Sequence, residues 1–225
     1  RLVRAAAVTY DEAVAFFGAK AFVSGNPVRP EFFAGEGRHD EHALPPGAAR
    51  VLVFGGSQGA HAINVAMVEA APRLGAAAEA LDLVCQTRAR DFDMVRAAFE
   101  RHGVQGRVER FIDAMDREMK AAGLVVSRAG ATTLAEVTAA GRPVILIPLP
   151  TATDDHQRHN ARALQTAGAA VLMEQSDLTG ERLADRIIAL ARDNGQRLRM
   201  SAAARRLAKP HAADDIVAAV IELTE

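Results

Sequence analysis

The strongest constraint on this chain is a rhythm in which strand-length apolar runs alternate with stretches of helical periodicity. The runs cover residues 51–54, 81–85, 107–111, 124–127, 144–148 and 170–173. Most are continuously apolar and β-branched rather than alternating. Strands covered on both faces read that way, so the pattern favours a parallel sheet. Between the runs, apolar residues recur with a period near 3.6 over 59–72, 90–102, 114–121, 132–140, 156–167, 178–193 and 196–208. Pro210 closes the last of these, and an amphipathic stretch over 212–223 follows. Strand–helix alternation with right-handed crossovers predicts an α/β fold, a Rossmann-like doubly wound parallel sheet.

Residues 1–50 break the rhythm. Residues 19–24 read as one strand, and Gly25-Asn26-Pro27-Val28-Arg29-Pro30 is turn chemistry. Residues 35–49 are rich in Gly, His and Pro, as in an exposed loop. The expected division is a residual segment of a preceding domain over 1–26, a linker over 27–49, and the doubly wound domain over 50–225. The first residue is Arg1, and no charged-then-apolar leader follows it, so the expectation is that the chain is part of something longer.

Composition narrows the classes. At 49% hydrophobic and 24% charged, 225 residues are ordinary globular usage and enough for a sizeable core. A net charge of −1 leaves no global basic field for nucleic acid, and aromatic residues, at 4%, are too sparse to interleave with a basic stripe. Cys85 is the single cysteine, which excludes an internal disulfide and a Cys-ligated metal cluster and fits a reducing compartment. No run of about 18 apolar residues exists for a membrane-spanning helix.

Three loops at expected strand ends carry chemistry. Gly55-Gly56-Ser57-Gln58-Gly59-Ala60 follows a strand and opens a helix. Glycines let the backbone approach a ligand, the helix start presents N–H groups, and Ser57 adds a hydroxyl. The segment matches neither G-x-G-x-x-G nor the lysine-bearing phosphate loop, and a plain tight packing turn remains an equal reading. Ser127-Arg128-Ala129-Gly130-Ala131-Thr132-Thr133-Leu134-Ala135-Glu136 repeats the arrangement. Ala131, Thr132 and Thr133 fall on a first helical turn whose N–H groups suit a diphosphate, and Glu136 lies one turn on, on the face of Thr132. A carboxylate there accepts two ribose hydroxyls; the alternative is a Thr-capped helix with Glu136 in solvent. The third loop runs from Pro148 through Asp154-Asp155-His156-Gln157-Arg158-His159-Asn160. Asp154 or Asp155 suits an N-cap, and His156, Gln157 and Asn160 suit sugar hydroxyls. Asp155, His156 and His159 as metal ligands form a weaker reading than a capped helix start. His156 as a general base stays open beside a structural role.

Smaller signals stay ambiguous. Arg29 after the Gly-Asn-Pro turn reads first as a surface arginine. Phe111-Ile112-Asp113 either offers backbone groups to a pyrimidine edge or simply packs. Gln86-Thr87-Arg88 lies just past a strand end without a clear role. No G-x-S-x-G nucleophile elbow is present.

Taken together and in order, Gly25-Asn26-Pro27-Val28-Arg29, Phe54-Gly55-Gly56-Ser57-Gln58-Gly59-Ala60, Arg128-Ala129-Gly130-Ala131-Thr132-Thr133 with Glu136, and Asp155-His156-Gln157 with Asn160 resemble the MurG family of glycosyltransferases. The resemblance runs from about residue 20 to 224. It implies the C-terminal, sugar-nucleotide-binding half of a two-domain GT-B fold. It implies further that Ser57 contacts the diphosphate and that Ala131, Thr132 and Thr133 supply helix-terminus donors. Glu136 would hold the ribose, Ile112 would face uracil through its backbone, and Arg29 would sit near uracil or phosphate. Gln157, with His156 beside it and Asn160 one turn on, would read the GlcNAc hydroxyls; some relatives carry Gln where this chain has His156.

The implied activity is inverting transfer of GlcNAc from UDP-GlcNAc to lipid I, giving lipid II for peptidoglycan synthesis, cell-wall biogenesis, cell shape and division. It requires neither cofactor nor metal. The glycine-rich, His-containing loop of the family's N-terminal domain is absent from residues 1–50. The catalytic residues, the lipid I groove and the membrane-facing patch are therefore expected on that domain, and the last helix is expected to pack against it. The implied location is the cytoplasmic face of the bacterial inner membrane, as a peripheral protein. Other readings are another UDP-sugar enzyme of the GT-B fold, an epimerase or a small-aglycone transferase, or a non-catalytic UDP-sugar-binding module.

Overall fold

A computed structural model describes residues 3–10, 13–33, 48–56, 60–152 and 155–224. Two short strands, β1 (Ala6–Val8) and β2 (Ala21–Val23), pair in parallel around helix α1 (Val14–Phe17). The periodicity signalled only the second of them, because three residues carry too little pattern to register. After the turn that follows Gly25 come β3 (Ala49–Phe54), α2 (His61–Ala76), β4 (Leu81–Gln86), α3 (Ala89–His102) and β5 (Gly106–Glu109). Next are α4 (Met115–Ala121), β6 (Leu124–Ser127), α5 (Ala131–Ala139), β7 (Val144–Leu146), α6 (His156–Thr166) and β8 (Ala170–Leu172). Three helices end the chain: α7 (Gly180–Arg192), α8 (Asn194–Leu207) and α9 (Ala212–Glu222).

The larger sheet has six strands, all parallel, in the order β5-β4-β3-β6-β7-β8. That is the Rossmann order, which reverses direction between β3 and β6 and leaves a crevice at their carboxyl ends. Because successive strand residues face opposite ways, each strand feeds two core layers. Val51, Val53, Leu83 and Cys85 pack with Ile63, Met67 and Leu74 of α2, Val95 and Phe99 of α3, and Leu183 and Ile187 of α7. Leu52, Phe54, Val84 and Leu146 pack with Met119 of α4, Leu134 and Val137 of α5, and Ala161 and Leu164 of α6. Both faces are covered, which explains the unbroken apolar runs.

The edges of several elements depart from the periodicity. Helix α2 continues through Pro72 to Ala76, because burial of Ala71 and Leu74 holds the final turn although Pro72 donates no N–H. Strand β5 stops at Glu109 rather than reaching Phe111, which is 66% exposed. Strand β7 stops at Leu146, though the Ile147 N–H still donates to the Ser127 carbonyl at 2.9 Å.

Candidate nucleotide-sugar site

The register places three loop starts on one edge. Phe54 pairs with Gln86 on one side and Ser127 on the other, and Ser127 pairs with Leu146. The glycine-rich loop and the Gly130 loop therefore open side by side. They converge on one hydroxyl: Cβ atoms built on Gly56 and Gly130 would lie 3.9 and 4.0 Å from Thr133 Oγ1. Gly56 sits at φ +72°, a left-handed conformation that a side chain would strain. Ser57 itself lies outside the described residues, as does Asp154.

Helix α5 starts without a side-chain cap. Its N-cap residue is Gly130, so neither threonine caps it. The Leu134 N–H closes on the Gly130 carbonyl at 3.0 Å. Among the described residues, the N–H groups of Ala131, Thr132 and Thr133 have no protein acceptor. Three aligned N–H dipoles at a helix start form an anion cradle. Asn26 Nδ2 donates to Thr132 Oγ1 at 3.3 Å, which ties the end of the first segment to this turn.

Glu136 is half-buried on the same helix. Burial pushes its carboxyl up, and the nearby Arg29 guanidinium partly opposes this. Arg29 is exposed and stacks over the Phe32 ring at 5.3 Å from its centroid. Arg29 is thus a surface arginine, as the sequence first suggested, whose charge also reaches Glu136.

Other expected contacts are engaged within the protein. The Ile112 N–H donates to Gln86 Oε1 at 2.8 Å. Gln157 Oε1 accepts the Leu149 N–H at 3.0 Å, which leaves the Gln157 NH₂ group for other partners. Asn160 is 8% exposed, and its Nδ2 donates to the Ala129 carbonyl at 3.2 Å. Asn160 thus braces the Gly130 loop through the Ala129 carbonyl. Asp155 is the α6 N-cap residue by position, at φ +54°, but makes no side-chain cap bond; its carboxylate pairs with Arg158 at 3.1 Å. His156 and His159 are exposed. Among the described residues, no three His, Cys, Asp or Glu side chains gather closely enough to hold a metal ion.

Two supports escaped the sequence reading. Arg128 is 7% exposed and donates to the Ile147 and Pro148 carbonyls at 3.0 and 3.1 Å and to Gln175 Oε1 at 2.6 Å. Burial pushes its guanidinium down. This fixed cation ties together the loops after β6, β7 and β8. Asn64, on the buried face of α2, donates to Asp91 Oδ2 at 2.8 Å and to the Thr87 carbonyl at 3.2 Å, while His61 Nδ1 lies 2.8 Å from Asp91 Oδ1. Burial pushes the Asp91 carboxyl up, but the bonds from Asn64 and His61 outweigh it, and the group lies below the ordinary carboxylate range. A polar residue interrupting the apolar face of α2 was the available signal for this network.

The sequence profile of the Glycosyltransferase family 28 C-terminal domain matches residues 50–216. A UDP-N-acetylglucosamine--N-acetylmuramyl-(pentapeptide) pyrophosphoryl-undecaprenol N-acetylglucosamine transferase from Anaeromyxobacter sp. (strain Fw109-5) is 45% identical over 225 residues, covering 99% of this chain. The Myxococcus xanthus (strain DK1622) protein of the same name is 43% identical over 226 residues. This chain spans 58% of the length of both relatives. The crystal structure of Acinetobacter baumannii MurG superposes over 97% of this chain and 65% of that one, with a TM-score of 0.77 and 27% identity. A UDP-N-acetylglucosamine 2-epimerase from Listeria monocytogenes, at TM-score 0.64 and 18% identity over 93% of this chain and 56% of its own, shares the fold.

Proposed function

Since this chain belongs to the glycosyltransferase family 28 C-terminal domain family, we propose that its crevice is the donor half of a MurG-type enzyme, binding UDP-GlcNAc for inverting transfer to lipid I. The observation that carries this reading is the start of α5. Three N–H groups without acceptors among the described residues lie near Gly56, and a half-buried carboxylate sits one turn on. The diphosphate rests on residues 131–133 and the Ser57 loop, where helix dipole and N–H groups stabilise negative charge as UDP departs. Glu136 accepts the ribose hydroxyls, with Arg29 beside it. The Ile112 backbone faces uracil. Gln157 and His156 face the sugar.

The acceptor hydroxyl attacks the anomeric carbon, the bond to the diphosphate breaks with inversion, and the hydroxyl proton passes to a base. That base, the lipid I groove and the peripheral contact with the cytoplasmic face of the inner membrane belong to an N-terminal domain. Helix α9 packs against the same domain. Likeness to the epimerase is one of fold and favours no second activity.

The test is a calorimetric titration of UDP-GlcNAc and UDP-GalNAc, together with a lipid I transfer assay. Expected outcomes are preferential binding of UDP-GlcNAc by the 225-residue chain and no turnover by it. Turnover of lipid I by this chain alone would overturn the assignment of the base to another domain, and failure of the full-length protein to bind UDP-GlcNAc would overturn the reading itself.

A further inference from the structure

A cluster of positive charge lies at the opposite edge of the sheet from the crevice. Gly141-Arg142-Pro143 joins α5 to the start of β7, so it sits at the amino ends of the strands. The crevice opens at their carboxyl ends. The nine residues of α5, about 13 Å long, separate the two.

Three arginines are buried in this fold: Arg128, Arg142 and Arg197. Two of them are held by acceptors. Arg128 donates to the Ile147 and Pro148 carbonyls and to Gln175, and Arg197 donates to the Leu190 and Ala191 carbonyls and to Asn194. Arg142 differs. It is 8% exposed, and its Nε is sealed from solvent without a partner. Among the described residues, its side chain makes no hydrogen bond and no ion pair.

A second guanidinium lies alongside. Gly141 has φ +62°, and a Cβ built there would stand 2.5 Å from Arg205 Cγ and 2.7 Å from Arg205 Nε. The exposed Arg205 of α8 therefore runs flat over the backbone next to Arg142. Ser201 Oγ donates to the Gly141 carbonyl and pins α8 to the same turn. Arg205 also lacks an ion pair or hydrogen bond from its side chain among the described residues.

Burial, with the like charge of Arg205, pushes the Arg142 guanidinium down to about 10, which leaves it charged at neutral pH. A buried cation beside a second cation is costly unless an anion neutralises them. The carbonyl end of α5 supplies only partial negative charge.

We propose that Arg142 and Arg205 form a binding site for a small phosphate-class oxyanion, separate from the nucleotide crevice. Planar guanidinium forks match the paired oxygens of such an anion, and an anion between them offsets both charges. The site does not depend on what fills the crevice.

The experiment is a calorimetric titration of inorganic phosphate into the full-length protein, with UDP saturating the crevice and ionic strength held constant with chloride. The wild type is expected to bind phosphate. Arg142→Met and Arg205→Met each weaken that binding about tenfold or more, the scale of lost charged hydrogen bonds. Arg205→Glu places a carboxylate beside Arg142, so phosphate binding is lost and the thermal midpoint in phosphate-free buffer rises above the wild-type value. Arg205 is exposed, so its variants keep the test decisive if Arg142→Met does not fold. Absence of phosphate binding by the UDP-saturated wild type would overturn the site. So would wild-type phosphate affinity in the folded Arg205 variants, or an Arg205→Glu midpoint no higher than that of the wild type. Failure of UDP to bind would count against the reading of the crevice alone, because the Arg205 variants still locate the phosphate.

Discussion

At the scale of single residues, burial and partners decide what each titratable group can do. Glu136 has a folded pKa above its unfolded value. Its contribution to stability is therefore fully present below the unfolded pKa and is lost as pH rises through the folded one. Glu136→Gln should accordingly raise the thermal midpoint at neutral pH, while Glu136→Ala should weaken UDP-GlcNAc binding by roughly 1–3 kcal/mol, as calorimetry would read it. Asp91 runs the other way: its depressed value contributes stability above the unfolded pKa that is lost as pH falls through the folded one. Removing Asn64 by Asn64→Ala should shrink that acid-side loss in a melt-versus-pH series. Cys85 is completely buried, and burial pushes its thiol up to about 12. It should resist a thiol-reactive maleimide in the native protein and react once denaturant exposes it.

At the scale of elements, loops are set by what packs beneath them. Residues 128–130 are held by Asn160 from α6 and by Arg128 reaching across to Gln175. Asn160→Ala should destabilise the fold by about 1–2 kcal/mol in denaturant melts, because the Ala129 carbonyl loses its buried donor. Helices α2 and α7 meet where a Cβ built on Gly180 would stand 2.2 Å from Glu69 Cβ and 2.5 Å from Glu69 C. Gly180→Ala must push the helices apart, an overpacking cost of about 1–3 kcal/mol measurable by the same method. Strand and helix identities were legible along the chain because period and length differ so clearly. Their ends were less so: the side chain of Gln86, distant in sequence, takes the Ile112 N–H just beyond β5.

At the scale of the whole molecule, apolar surface is unevenly placed. Helix α9 buries Ala212 but exposes Val217, Val220 and Ile221 at 56%, 55% and 53%, and Phe16 on α1 is 85% exposed. Charged substitutions there, Val217→Asp with Val220→Asp, should change the stability of the 225-residue chain by no more than about 0.5 kcal/mol. In the full-length protein they should lower transfer activity if α9 packs on the N-terminal domain, which a lipid I assay reads. Unchanged activity in that protein would argue that α9 stays in solvent.

Local pattern was sufficient for the class of fold and for the loops that carry chemistry. Apolar runs without alternation require a doubly covered parallel sheet, and glycine followed by a helical period requires a turn onto a helix start. The polarity of Asn160 was visible in the chain, but its depth and its bond to the Ala129 carbonyl were not. Arg29 is at the surface as read, but its neighbour in charge, Glu136, lies more than a hundred positions away along the chain and so was not visible in it. Gln86 gave no sign along the chain that its side chain accepts the Ile112 N–H, a group beyond the next strand. Periodicity is a property of neighbours in sequence, whereas burial and hydrogen-bond direction depend on groups that only folding brings into contact.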